Sequence, residues 1–113
     1  MLSRKRRLPK AFFEKNLLSK GSFLDSTSFS FKFGNLPAGE TRFACVVSKK
    51  TTSLAVKRNR IRRACYNILS ELYLELRPGL YGLFFLKKEG VNTSHSSLKK
   101  EIETTLKKAG ILS

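Results

Sequence analysis

The chain has 113 residues, 41% of them hydrophobic, which suits one domain with a modest core. Its 23 Lys and Arg against 8 Asp and Glu give a net charge of +15; self-repulsion on that scale works against a compact state and points to a polyanionic partner, nucleic acid ahead of an anionic membrane surface. No apolar run approaches the ~18 residues that span a bilayer, and no hydrophobic segment follows the basic N-terminus, so a membrane protein is excluded and a cytoplasmic one is expected.

In chain order, Arg4, Lys5, Arg6 and Arg7 fall in a basic arm over residues 1–7, expected to be mobile. Leu8-Pro9-Lys10 can open a short helix over about residues 9–19, where Phe12, Phe13, Leu17 and Leu18 recur at helical spacing and Lys20-Gly21 ends the run. Residues 28–33 alternate strictly, predicting a half-buried strand with Phe29, Phe31 and Phe33 on one face. A turn at residues 34–39 leads to a second strand over 42–48, expected to lie antiparallel to the first across that short loop.

A polar loop, residues 49–53, then feeds a long helix over about 54–76, in which Ile61, Cys65, Ile68, Leu72 and Leu76 form one apolar stripe. Arg77-Pro78-Gly79 stops it. Residues 80–86 are continuously apolar and aromatic, as in a central strand, and residues 97–108 close the chain as a helix with Leu98, Ile102 and Leu106 inward. Residues 22–26 could extend the sheet or add to it. The reading is a single α+β two-layer domain over residues 1–113, a small sheet with helices against it. Cys45 and Cys65, in a predicted strand and a predicted helix, have neither metal-ligand nor disulfide spacing and are expected to be reduced and buried.

The chemistry concentrates at the start of the long helix. Between Glu40 and Glu71 there is no acidic residue, whereas Arg42, Lys49, Lys50, Lys57, Arg58, Arg60, Arg62 and Arg63 all fall there. A solubilising surface mixes signs, and an exposed helix normally interleaves Glu with Lys one turn apart. Here Arg58 and Arg62 place like charges at that spacing, which folding does not require. Arg forks suit phosphate oxygens and can stack on bases, and Asn59 adds a donor–acceptor pair for a base edge or a ribose hydroxyl. Lys49, Lys50 and the helix start complete a cationic ledge. Neutralising ~6–8 phosphates would make log K fall with log[salt] at a slope of about −5 to −7.

Val47-Ser48-Lys49-Lys50, a short loop, and then Ala55-Val56-Lys57-Arg58-Asn59-Arg60-Ile61-Arg62-Arg63 resemble the signature of the bacterial ribonuclease P protein family, a strand ending in Ser-Lys-Lys coupled to an "RNR" helix. Arg42, the Arg7-Leu8 start and Gly21 fit as well. The resemblance implies a fold like the second domain of ribosomal protein S5, with the basic helix in a left-handed β-α-β crossover. It implies a non-catalytic subunit of an endoribonuclease: a catalytic RNA partner, with its own Mg2+, removes the 5′ leader of precursor tRNA. The protein itself would hold no cofactor or metal and supply no catalytic residue. His95 is the one His, and no cluster of acidic residues and His is evident in the sequence. Carried over, Lys57, Arg58, Asn59, Arg60, Arg62 and Arg63 contact RNA, with Lys49 and Lys50 as flanking phosphate contacts. The leader is expected in a cleft between that helix and the open sheet face.

Three departures stand out: Tyr66-Asn67 where the family often has Arg-Glu, no glycine in the loop Thr51-Thr52-Ser53-Leu54, and Lys32 with Ser30 beside it where relatives place an aromatic in the leader cleft. Phe29, Phe31 and Phe33 could form a base-stacking platform or pack the core; with Ser30 and Lys32 toward the cleft, the core is favoured. Phe13 is a leader contact or a core residue. Competing readings are a structural RNA-binding protein such as a ribosomal one, a DNA-binding helix module, which would need a helix where a strand and loop precede the basic helix, and a stand-alone nuclease, which lacks the side chains.

Overall fold

The apolar run at residues 80–86 has no polar face, so it is stable only with neighbours on both edges and cover on both sides. The computed structural model, which describes residues 6–7, 22–35 and 41–112, places it so. Four strands, β1 (Ser22–Asp25), β2 (Phe29–Asn35), β3 (Arg42–Val46) and β4 (Leu80–Leu86), form one sheet in the order β1-β2-β4-β3. β4 pairs antiparallel with β2 (Phe31 opposite Phe84) and parallel with β3 (Cys45 opposite Phe84).

One sequence expectation changes, and one left open is decided. β2 and β3 do not pair across their short loop, because β4, apolar on both faces, takes the place between them and gains two partners. Residues 22–25 form a strand of their own, paired with β2. The expected helix over 9–19, with Phe13, and most of the turn at 34–39 lie outside the described residues.

Two helices, α1 (Ala55–Leu72) and α2 (His95–Lys108), pack on one face of the sheet. The α1 stripe is buried as its spacing predicts, at Ile61, Cys65, Ile68 and Leu72, with Tyr66 and Leu69 beside it. Leu76 is buried too, but not by helix: a 3-10 turn at Tyr73–Glu75 ends the coil, and Leu76 continues extended to bridge Leu112. α2 starts two residues before its expected position, where the Ser94 hydroxyl caps it by accepting from Ser97 N–H at 3.2 Å.

Phe29, Phe31, Phe43 and Phe84 meet these helices fully buried, with Phe31 and Phe84 stacked 4.5 Å apart. Burying one such side chain contributes about 1.5–3 kcal/mol. Gly82 makes the crossing possible, since a Cβ there would lie 2.7 Å from the Phe43 ring and 2.9 Å from that of Phe31. The opposite face carries Tyr81, Leu83 and Ala44, with Phe85 against them.

Candidate nucleic-acid interface

A chain that buries Ile61, Cys65 and Ile68 turns Asn59, Arg60, Arg62 and Arg63 away from the sheet, while Lys57 and Arg58 lie half-buried on the line of Ile61, one turn before it. Their cations then fan out in three directions. Arg58 Nη1 donates to the carbonyl of Thr52 at 2.9 Å, toward the loop after β3. Arg60 Nη2 points the other way, to the carbonyl of Val91 at 3.4 Å before α2. Arg62 Nη1 donates to Asn59 Oδ1 at 3.0 Å, and together with Arg63 they face the N-terminal segment. Among the described residues the ion pairs are Lys87 with Asp25 and Lys99 with Glu71, so no described carboxylate neutralises the cations of residues 57–63. The first turn of α1 contains no acidic residue either, although its backbone N–H groups would favour one.

Lys49 and Lys50 stand exposed on a turn built without glycine. Thr51 does the fastening: its N–H donates to Ser48 O at 3.0 Å and its hydroxyl donates to Leu86 O at 3.1 Å, tying the turn to the end of β4. The two lysines therefore flank the α1 start from a fixed position.

The other predicted residues lie elsewhere. Phe29 and Phe31 occupy the helix-covered face, so Ser30 and Lys32 take the opposite one. Ser30 Oγ donates to Asp25 Oδ1 at 2.8 Å, and Lys32 sits between Leu83 and Phe23 in register. Among the described residues, α1 packs on the sheet face opposite Ser30 and Lys32, so the basic helix and these two residues do not line one cleft. The structure instead presents two separate surfaces, and Phe13 lies outside the described residues.

Three features escaped sequence reasoning. Phe23, beside Lys32 on the open face, is 60% exposed and places an aromatic where Lys32 had seemed to remove one. Arg6 and Arg7, read as part of a mobile arm, each sit on a tyrosine ring: Arg6 is 3.9 Å from the Tyr73 centroid and Arg7 4.9 Å from that of Tyr66. Those tyrosines are anchored to the β3 end of the sheet, Tyr66 Oη accepting from Cys45 N–H at 3.2 Å and Tyr73 Oη donating to Thr41 O at 2.7 Å. The alternation of residues 22–25 is too short to have marked Phe23, and cation–π pairs across sixty residues leave no periodic trace.

Nothing in the described residues resembles a catalytic centre. No group of three or more His, Cys, Asp or Glu could hold a metal ion among them, and His95 is exposed at the start of α2. Burial, with Cys65 next to it, pushes the Cys45 thiol well above its usual range, so it is an inert apolar group and not a nucleophile. No helix of the described residues is long and apolar enough to cross a membrane.

The family model described as Ribonuclease P matches residues 2–110. The chain belongs to the Ribonuclease P family. The ribonuclease P protein component of Synechococcus elongatus is 42% identical over 74 residues, covering 65% of this chain and 61% of that protein's length. The corresponding protein of another Synechococcus strain is 33% identical over 101 residues, covering 85% and 75%. Among solved structures, the Staphylococcus aureus RNase P protein superposes with a TM-score of 0.85 at 20% identity, covering 96% of this chain and 98% of that one. The Thermotoga maritima RNase P protein gives 0.80 at 18% identity, covering 90% and 96%. The fold is therefore the one that ribonuclease P proteins share, including the parallel β3-α1-β4 unit that carries the basic helix. Against that family background Tyr66 is the departure with the clearest structural use, since its ring is the seat of Arg7.

Proposed function

We propose that this protein is the protein subunit of ribonuclease P, acting with a catalytic RNA to remove the 5′ leader of precursor tRNA in the cytoplasm. The observation that carries this reading is the α1 face in a chain of this family: five cations in residues 57–63, with no described carboxylate against them. Backbone phosphates of a folded RNA are the partner such a surface fits, and Lys49 and Lys50 extend it past the helix start. The second surface, with Phe23, Ser30 and Lys32, suits a single strand: a ring to stack on one base and an ammonium for the adjoining phosphate. Phosphodiester hydrolysis is assigned to the RNA, whose own phosphates hold Mg2+; the protein binds, orients and neutralises charge.

The test is reconstitution with a bacterial ribonuclease P RNA and a leader-bearing precursor tRNA. At Mg2+ concentrations too low for the RNA alone, adding the protein should accelerate cleavage, and the protein without RNA should leave the substrate intact. Tight RNA binding with no stimulation would favour a structural RNA-binding role. Cleavage by the protein alone would overturn the assignment of chemistry to the RNA.

A further inference from the structure

Where the turn before α2 meets the first half of α1, Ile61 and Ala64 on one side and Val91 and Leu98 on the other line a hollow of about 420 Å³. Clefts that hold small ligands span about 300–1,000 Å³. The floor is aliphatic, with Ile61, Val91 and Leu98 buried. The rim is polar: Asn92, Ser94 and His95 stand exposed along it, and Arg60 bounds it from α1. The Thr93 hydroxyl is spent on Glu89 O at 3.1 Å, and that of Ser94 on capping α2. The Asn92 amide and the His95 ring make no hydrogen bond among the described residues. No described carboxylate lines the hollow, and Glu71, which interacts with His95, is held by Lys99 at 2.9 Å.

We propose that this hollow takes one unpaired nucleobase of the RNA bound along α1, its flat faces against the aliphatic floor and its polar edge on the Asn92 amide, with His95 at the mouth. This rests on the RNA-binding reading above and goes beyond its phosphate contacts, because it names a place where the protein holds a base. A phosphate gains nothing from an aliphatic floor, and most of the cations that suit it lie on other sides of α1. A base has apolar faces with donors and acceptors at its edge, which is what this lining offers. It has to be unpaired, since a base inside a duplex can neither leave the stack nor spare that edge. Arg60 belongs both to the basic face and to the wall of the hollow, so a strand that follows α1 passes the opening.

The experiment titrates the full chain with a bacterial ribonuclease P RNA transcript across a series of KCl concentrations. Ala64→Leu fills the hollow from the α1 wall, and Asn92→Ala removes the amide. Each should weaken binding about three- to tenfold, the size of one or two hydrogen bonds. The salt slope should hold, since neither change removes a charge. The double variant should bind no more weakly than Ala64→Leu, because a filled hollow leaves Asn92 idle. Where Ala64→Leu does not fold, Ala64→Met serves in its place. Unchanged affinity in either single variant, or additive losses in the double one, would sink the base pocket. A second measurement identifies the occupant: methyl NMR signals of Ile61, Val91 and Leu98 in the free protein should shift with millimolar adenosine 5′-monophosphate and stay put with inorganic phosphate. Equal shifts from phosphate, or none from the nucleotide, would also rule the pocket out. The Arg60→Ala, Arg63→Ala variant separates the two levels: if it binds unchanged, the RNA reading fails as a whole, whereas if it weakens binding and Ala64→Leu does not, only the base pocket fails.

Discussion

Arg58 and Arg62 stand one turn apart on α1 with the same charge, an arrangement that costs an isolated helix a few tenths of a kcal/mol per pair. Arg60 and Arg63 add to the crowding, and in exchange the fold receives one long hydrogen bond, from Arg60 to Val91. Replacing Arg60 and Arg63 together by Ala should therefore change stability by less than about 1 kcal/mol in either direction. RNA affinity should drop and the salt slope flatten by ~1–2. Thermal melts beside RNA titrations check both at once, and a large fall in Tm would mark these residues as structural. The pattern was legible in the sequence because charge of one sign on consecutive turns is a local property. The seating of Arg7 on Tyr66 was not, since it joins residues that come together only when β3 and α1 pack.

At the level of elements, the β1–β2 hairpin is fastened at its turn. Lys87 Nζ reaches Asp25 Oδ1 and the carbonyl of Ser26, both at 2.7 Å, and Glu101 on α2 accepts from Ser28 N–H at 2.9 Å and from its hydroxyl at 3.2 Å. Hydrogen bonds from Lys87 and then Ser30 hold the Asp25 carboxyl below its ordinary range. A depressed carboxylate contributes stability that is fully present above its unfolded value and is lost as pH falls through the folded one. Melting temperature should accordingly decline as pH is lowered through the carboxylate range, below about pH 4. Asp25→Asn should show a shallower decline; an identical pH profile would mean the pair holds nothing. The Glu71 carboxyl, lowered chiefly by its hydrogen bond to Lys99, responds with the same sign and accounts for part of the remaining slope. Element type followed from periodicity, down to the burial of Ile61, Cys65 and Ile68. Strand order did not, because Phe29, Phe31 and Phe33 announce a buried face without naming the partner strand. Only the two-faced run at Leu80–Leu86 held a clue, and it said "central" without saying between which neighbours.

For the whole molecule, the same charges act in opposite senses on folding and on binding. A net charge of +15 on 113 residues repels itself, and the ion pairs seen between described residues, Lys87 with Asp25 and Lys99 with Glu71, involve none of the cations of residues 57–63. Added salt shortens the screening length, to about 8 Å near 0.15 M and about 3 Å near 1 M, so repulsion within the free protein weakens. Its melting temperature should rise with KCl. RNA binding should respond the other way, with log K falling along log[KCl] at a slope of about −5 to −7 if ~6–8 phosphates are neutralised. An anion that occupies the basic face achieves the screening without salt, so at low ionic strength RNA should raise Tm by linkage, and that gain should fade as KCl is added. A free protein that instead loses stability with salt would have its cations already satisfied internally, and a surface satisfied internally has no call on an RNA backbone.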